Sequence, residues 1–234
     1  MLTCLCDAYF GEVGIATVRV LEHAGCTVEF PKDQTCCGQP PFNAGDWKAA
    51  RQVVSRCASV FGGADPVVTP SGSCAAMVRH GYSMLMAHEP FRCFELCEFL
   101  VGELGIEKWP LAHHRSVTGR KVAFHSSCHN RTLAASSSCA SPQLTLLKSI
   151  AGIEVVPFAE QEQCCGFGGA FSSTHGSISS GIGMQKLEMI AASGVTEIVG
   201  GDMGCLMHLD GLIRRHELPL EVRHISLVLA EALP

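Results

Sequence analysis

Charge is scarce in this sequence. Charged residues make up 17% of its 234 positions, and the net charge is −5. Basic residues gather only in short pairs such as Arg214-Arg215, so the electrostatic footprint of a nucleic-acid binder is absent. No stretch approaches the ~18–20 uninterrupted apolar residues of a membrane span, so no direct membrane insertion is expected. The opening Met1-Leu2-Thr3-Cys4 leads to Asp7 and Glu12 without a basic start and an apolar run, and does not read as a secretory signal. The glycine pair Gly168-Gly169 has no Gly-Lys-Ser/Thr ending, which excludes a phosphate loop. No flavin or nicotinamide fingerprint is present either.

Cysteine, by contrast, is abundant: 14 residues. Hydrophobic residues reach 47%, enough for a real core and against general disorder. Without a signal peptide the expected location is cytoplasmic. There thiols stay reduced, and clustered cysteines point to metal or redox chemistry rather than disulfides.

The cysteines are organised around Gln34-Thr35-Cys36-Cys37-Gly38-Gln39-Pro40 and a second copy, Gln163-Cys164-Cys165-Gly166-Phe167-Gly168-Gly169. Adjacent thiols can ligate one metal cluster from a single turn. Gly38 and Gly166 let the backbone bend there and approach a bulky inorganic group.

Around each copy the sequence alternates strand and helix. Gly11 to His23 places Val13, Ala16, Thr17, Val20 and Leu21 at helical spacing, and Gly25 ends that helix. A strand is predicted over Cys26–Phe30, closed by Pro31. A helix over Trp47–Phe61 follows, with Asp46 as its N-cap. Then comes a buried strand over Asp65–Pro70 that runs into Ser71-Gly72-Ser73-Cys74. A helix is predicted from Phe91 to Leu104, and a loop at Trp109-Pro110. The second half reads as a strand over Lys121–His125 before Cys128, a helix over Pro142–Ile150, a strand over Ile153–Pro157 and the second CCG turn. The Gly/Ser-rich tract Gly166–Gly183 reads as a flexible loop shielding the site. A helix ending near Gly194, a strand over Val195–Val199, Gly201-Asp202-Met203-Gly204-Cys205, a helix, the strand Leu220–Arg223 and a last helix complete the chain.

The order is a repeat. Cys4 to Cys128, Cys36 to Cys164 and Cys74 to Cys205 are separated by 124, 128 and 131 residues. The expected fold is α/β: two tandem, pseudo-symmetric, Rossmann-like repeats with parallel sheets, in residues 1–87 and 120–234, joined by 88–119. Parallel strands bring their C-terminal ends to one edge, which gathers cysteines distant in sequence.

Each half then offers four thiolates: Cys4, Cys36, Cys37 and Cys74, and Cys128, Cys164, Cys165 and Cys205. That count suits zinc or an iron–sulfur cluster. Adjacent side chains diverge, which favours a polynuclear cluster over the single ion held by Cys-x-x-Cys pairs. The plain alternative, a vicinal disulfide or two packed thiols, is strained or coincidental and has to occur twice.

The stretches Thr3-Cys4-Leu5, QTCCGQP (34–40), PSGSC (70–74), Ser127-Cys128-His129, CCGFGG (164–169) and GCLM (204–207) resemble the cysteine-rich CCG domain family. That family includes a component of heterodisulfide reductase, and the likeness is closest to its lactate-utilisation branch. The resemblance covers nearly the whole chain. It implies an iron–sulfur electron carrier, with 4Fe–4S favoured over zinc, working with other subunits of a complex that oxidises L-lactate or a similar 2-hydroxy acid. The sequence has no evident acid–base pair for hydride removal, so that step is assigned to a partner. The alternatives are a heterodisulfide-reductase-like thiol–disulfide oxidoreductase and a zinc-stabilised scaffold. Two departures stand out. Ser71 and Asp202 occupy positions where the reductase branch has a fifth cysteine. Only three residues precede Cys4, where the second half has a full strand, so a strand is expected to be missing and the first site to be weaker.

The remaining candidates are assigned more modest roles. Cys26, Cys57 and Cys139 are expected to pack. Cys6 stands close enough to Cys4 to substitute for it. Cys93 and Cys97 share one face of the predicted helix and are assigned to packing. His129 is expected to donate a hydrogen bond near a ligand sulfur, and His125 to face the core from its strand.

Overall fold

The computed structural model describes residues 1–63, 66–86, 90–109, 119–134 and 141–233. Its strands are β1 (Val67–Thr69), β2 (Cys93–Glu95), β3 (Arg120–His125), β4 (Ile153–Val155), β5 (Glu197–Gly200) and β6 (Glu221–His224). The helices of the first half are α1 (Cys4–Tyr9), α2 (Gly11–His23), α3 (Gln39–Asn43), α4 (Trp47–Phe61), α5 (Gly72–Ala76), α6 (Tyr82–Leu85) and α7 (Leu96–Glu98). Single π-helical turns at Met77–Gly81 and Phe99–Glu103 continue α5 and α7. The second half adds α8 (Cys128–Ala134), α9 (Pro142–Ser149), α10 (Ala170–Thr174), α11 (Gly176–Ala192), α12 (Met203–Arg215) and α13 (Ile225–Glu231).

Every strand pair is parallel. One sheet has the order β4-β3-β5-β6, and the other pairs β1 with β2. The larger sheet is covered on both faces, as parallel sheets require. Val122 and Phe124 of β3 turn to a core that includes Val20 and Leu21 of α2, Leu146 and Leu147 of α9, and Val228 and Leu229 of α13. Ala123 turns the other way, to Leu187 and Ile190 of α11 and Leu209 of α12. The first of these cores also takes Leu96 and Leu100 from beyond β2, so one apolar core joins the two halves. Buried polar contacts cross the same boundary: Trp109 Nε1 donates to the Leu229 carbonyl at 2.8 Å, and Ser226 Oγ donates to the Val13 carbonyl at 3.3 Å.

Most predicted helices and strands are in place. The helix over Gly11–His23 buries the five residues its spacing selected, and Gly25 follows its end at φ +88°. Asp46 caps α4 by accepting from the Ala49 N–H at 3.0 Å.

Three segments differ from the expectation. Cys26–Phe30 forms no strand. In the larger sheet β3 lies between β4 and β5. Among the described residues no strand lies beside Cys26–Phe30. Without a neighbouring ladder, β-branched residues do not make a strand.

The helix predicted from Phe91 begins instead with β2, which pairs with β1. Glu95 then opens α7 through a capping box with Glu98. Cys93 and Cys97 therefore do not share a helix face; both are buried, one in the strand and one in the helix.

The Gly/Ser-rich tract is not a flexible loop: it is largely helical, in α10 and α11. Its small residues serve close packing. A Cβ on Gly183 would meet Leu212 Cδ1 at 2.4 Å and the Cys165 carbonyl at 3.0 Å. Asp65, Pro110 and Cys139 lie outside the described residues.

Candidate metal centre

The site grows from strand ends and helix caps. Thr3 Oγ1 accepts from the Cys6 N–H at 3.2 Å and starts α1 with Cys4 as its first residue. Ser71 Oγ accepts from the Cys74 N–H at 3.3 Å, fixing Cys74 in the first turn of α5. Asp202 Oδ1 accepts from the Gly204 N–H at 3.1 Å, which places Cys205 at the start of α12. Cys128 opens α8 after β3.

The CCG turns supply the rest. Gly38 and Gly166 have φ of +89° and +90°, a conformation other residues adopt at a cost. The space a Cβ would need is taken by Val54 Cγ2 in one case and by the Ser179 carbonyl in the other. So these glycines let the turn press against α4 and α11. Their N–H groups point back to sulfur: Gly38 N donates to Cys36 Sγ at 3.5 Å and Gly166 N to Cys164 Sγ at 3.3 Å.

In the first half Cys4 Sγ donates to Cys36 Sγ at 3.6 Å, and Cys37 interacts with Cys36 and Cys74. In the second half Cys164 interacts with Cys128 and Cys165, and Cys165 with Cys205. The thiols of each set are thus neighbours, with equivalent members in the same order. All eight line a single open cavity of about 400 Å³, together with Gln39, His129, Phe167 and Met203. The thirteen described cysteines are all free.

The two sets share an electrostatic pattern. Hydrogen bonds from Cys37, then Cys4, pull the Cys36 thiol down to about 3. Bonds from Cys128 and Cys165 pull Cys164 well below the usual thiol range. The donors move the other way: Cys4 and Cys37 are pushed up by their bonds to Cys36, and Cys128 and Cys165 by theirs to Cys164. Each set therefore favours one thiolate cradled by protonated neighbours. A metal takes thiolates, so loading such a set releases the remaining protons.

His129 lies beside Cys128. Its Nδ1 is 3.7 Å from Cys128 Sγ, and its Nε2 is 3.3 Å from Gln39 Nε2, a residue of the other half. Cys6 is buried among Val13, Met203 and Leu206 and is absent from the cavity wall, so it is poorly placed to replace Cys4. Burial pushes its thiol up to about 12. Cys57 packs with Val54 and Phe61, and Cys26 packs against the main core.

Three features escaped the sequence. Ser71 and Asp202, the two residues found where a fifth cysteine was expected, meet each other: Ser71 Oγ donates to Asp202 Oδ2 at 3.2 Å, and the Ser73 N–H donates to the same oxygen at 2.8 Å. Lys186 is fully buried, its ammonium donating to the Gln161 and Gln163 carbonyls at 3.1 and 2.8 Å beside the second site. Burial lowers its pKa to about 8. His125 is buried as expected, but next to thiols: its ring and the sulfurs of Cys165 and Cys205 lie within 4.8 Å of one another. Counting by two from Ala123 along β3 would have placed it on that face.

Two sets of four thiols on one cavity wall, in a fold whose strands all pair in parallel, define a cysteine-rich α/β protein. The chain belongs to the CCG cysteine-rich domain family, whose model matches residues 1–79 and again 122–210. Similar proteins are lactate utilization protein A of Geobacillus kaustophilus (39% identical, covering 97% of this chain and 96% of that one) and of Geobacillus thermodenitrificans (40%, with the same coverage). Lactate utilization protein A 2 of Bacillus cereus is 35% identical over 99% of this chain and 97% of its own.

Proposed function

We propose that this chain is a cytoplasmic iron–sulfur electron-transfer subunit of a system that oxidises L-lactate or a similar 2-hydroxy acid. It is built as two pseudo-symmetric repeats, residues 1–87 and 120–234, joined by 88–119. Cys4, Cys36, Cys37 and Cys74 hold one cluster, 4Fe–4S by ligand count, and Cys128, Cys164, Cys165 and Cys205 hold the other. Other subunits of the complex carry out substrate oxidation. The observation that carries the reading is the pair of four-thiol sets on one cavity wall. The relatives' names supply lactate, and the absence of a hydride acceptor's fingerprint supplies the division of labour.

The residues fit the group. Each half offers four convergent thiols, backbone N–H groups already directed at sulfur, and a surround dry enough to bury Cys37 and Cys165. A cluster supplies one-electron storage. The chain's own residues hold it, exclude water from its inner side and donate hydrogen bonds to sulfur. Gly38, Gly166 and Phe167 donate from the backbone, and His129 stands beside Cys128. Such bonds and burial set a cluster's potential.

One observation favours a second reading, a zinc-stabilised scaffold. Cys4 Sγ and Cys36 Sγ are 3.6 Å apart. The edge of a tetrahedron with zinc–sulfur bonds of ~2.3 Å is about 3.8 Å.

Deleting the gene in its own organism is expected to remove growth on L-lactate. The wild-type chain restores growth, and Cys165→Ser does not. Undiminished growth of the deletion strain on lactate sinks the assignment. Full rescue by Cys165→Ser sinks the role of the second site.

A further inference from the structure

Buried ring nitrogens are hydrogen-bonded in nearly all proteins, and leaving one unpaired costs about 1–3 kcal/mol. His125 is 1% exposed, and neither Nδ1 nor Nε2 has a partner among the described residues. Its strand position explains the burial and not the isolation. β3 alternates, so His125 shares the face of Ala123, which packs on α11 and α12. Its register partner is Gly200, and a Cβ there would come within 3.5 Å of His125 Cβ and 3.2 Å of Leu206 Cδ2. Room has been left for the ring at the point where β3 and β5 deliver Cys128 and Cys205.

The nearby polar groups are already committed. Lys186 Nζ is bonded to two carbonyls, and Cys165 Sγ receives the Phe167 N–H at 3.5 Å. What remains within reach of the imidazole is the space between it, Cys165 Sγ and Cys205 Sγ, three donor atoms within 4.8 Å of one another. Neutral imidazole and thiolate are both common ligands of iron and zinc.

We propose that His125 supplies a nitrogen ligand to the metal group of the second site, beside Cys165 and Cys205. The imidazole then stands in for one of the four thiolates that ligand count assigns to this site, which makes the second site mixed nitrogen–sulfur and leaves the first all-sulfur. The residue three places before Cys4, the counterpart of His125 before Cys128, is Met1, whose sulfur lies 4.0 Å from Cys57 Sγ, outside the set of four thiols. Replacing thiolate by imidazole raises the potential of an iron–sulfur centre, so the second site should be the more easily reduced. This inference rests on the metal-site reading above.

The test is pulsed EPR of the full chain labelled with ¹⁵N-histidine, reconstituted anaerobically with iron and sulfide and reduced. The expected result is the coupling of a directly bound nitrogen, retained in His129→Gln and lost in His125→Gln and His125→Phe. The potential of the second-site signal should fall in the same two His125 variants. X-ray absorption of the zinc-loaded wild-type chain reads the ligand set without any variant, and should include nitrogen. Metal-loaded protein with sulfur ligation alone, or coupling unchanged in the His125 variants, overturns this inference and leaves the metal sites standing. Protein that takes up neither iron nor zinc overturns both.

Discussion

The two cysteine sites share a thiol pattern and differ in everything around it. The second is backed by a four-stranded sheet, a buried lysine and a buried histidine. The first is backed by two paired strands. Yet the sulfurs neighbour one another in the same order in both. Ligand geometry is therefore carried locally, by the left-handed glycine of the CCG turn and by the caps at Thr3, Ser71 and Asp202. The sheets fix what surrounds the ligands, and hence how the two sites differ.

The comparison can be broken most sharply by removing ligands one site at a time. Cys165→Ser should empty the second site and leave the first loaded, and Cys37→Ser the reverse. Cys57→Ala should change nothing. Iron per chain, measured after anaerobic reconstitution, checks all three. Loss of both sites from one substitution would mean that the halves do not load independently.

The turns come next. In Gly166→Ala the added Cβ meets the Ser179 carbonyl at 2.4 Å, a backbone atom that cannot easily move. In Gly38→Ala it meets Val54 Cγ2 at 2.9 Å, a side chain that can rotate. Urea unfolding of the apoprotein should show a loss of about 3 kcal/mol for Gly166→Ala and about 1–2 kcal/mol for Gly38→Ala. Equal losses would contradict the contrast.

Asp202→Ala removes the α12 cap and leaves Ser71 Oγ and the Ser73 N–H without their acceptor. The expected cost is about 2 kcal/mol by the same unfolding assay.

The smallest effect is in pH, and its sign differs between the second half and the connecting segment. Burial lowers His125 to about 3 and His224 to about 4, from 6.5. The unfolded chain takes up those protons first, so their contribution is full above pH 6.5 and is lost as pH falls toward 4 and then 3. Burial raises Glu95 to about 7 from 4.5. There the folded chain holds the proton longer, so the contribution is full below pH 4.5 and is lost as pH rises through 7. Hydrogen exchange of the apoprotein should show the amides of β3 and β6 losing protection on acidification from pH 7 to 5, and those of β2 and α7 gaining it. Parallel changes in both pairs of elements would count against these assignments.

The sequence made the thiol sets legible because it carries them as a local, repeated pattern: two CCG turns and a cysteine after each strand end. The parallel α/β fold followed from the alternation of short β-branched runs with helical spacing. What it hid depends on contacts between distant residues. Cys26–Phe30 has strand composition and lacks a neighbour to pair with. Phe91–Leu104 has helical spacing, and β1 captures its Cys93–Glu95 as a strand. Ser71 and Asp202 each looked like a lost ligand, and only the fold reveals that they bind each other. The Gly/Ser tract looked flexible because small residues mark both loops and tight helix packing. Only its contact with the second CCG turn decides between them.

Whether each half carries one iron–sulfur site is decided most directly by iron and acid-labile sulfide per chain in anaerobically reconstituted wild-type protein. The expected result is a coloured protein with iron and sulfide in near-equal amounts, halved when either CCG pair is changed to serine. A colourless, iron-free protein, or one with stoichiometric zinc and no iron uptake, would contradict it.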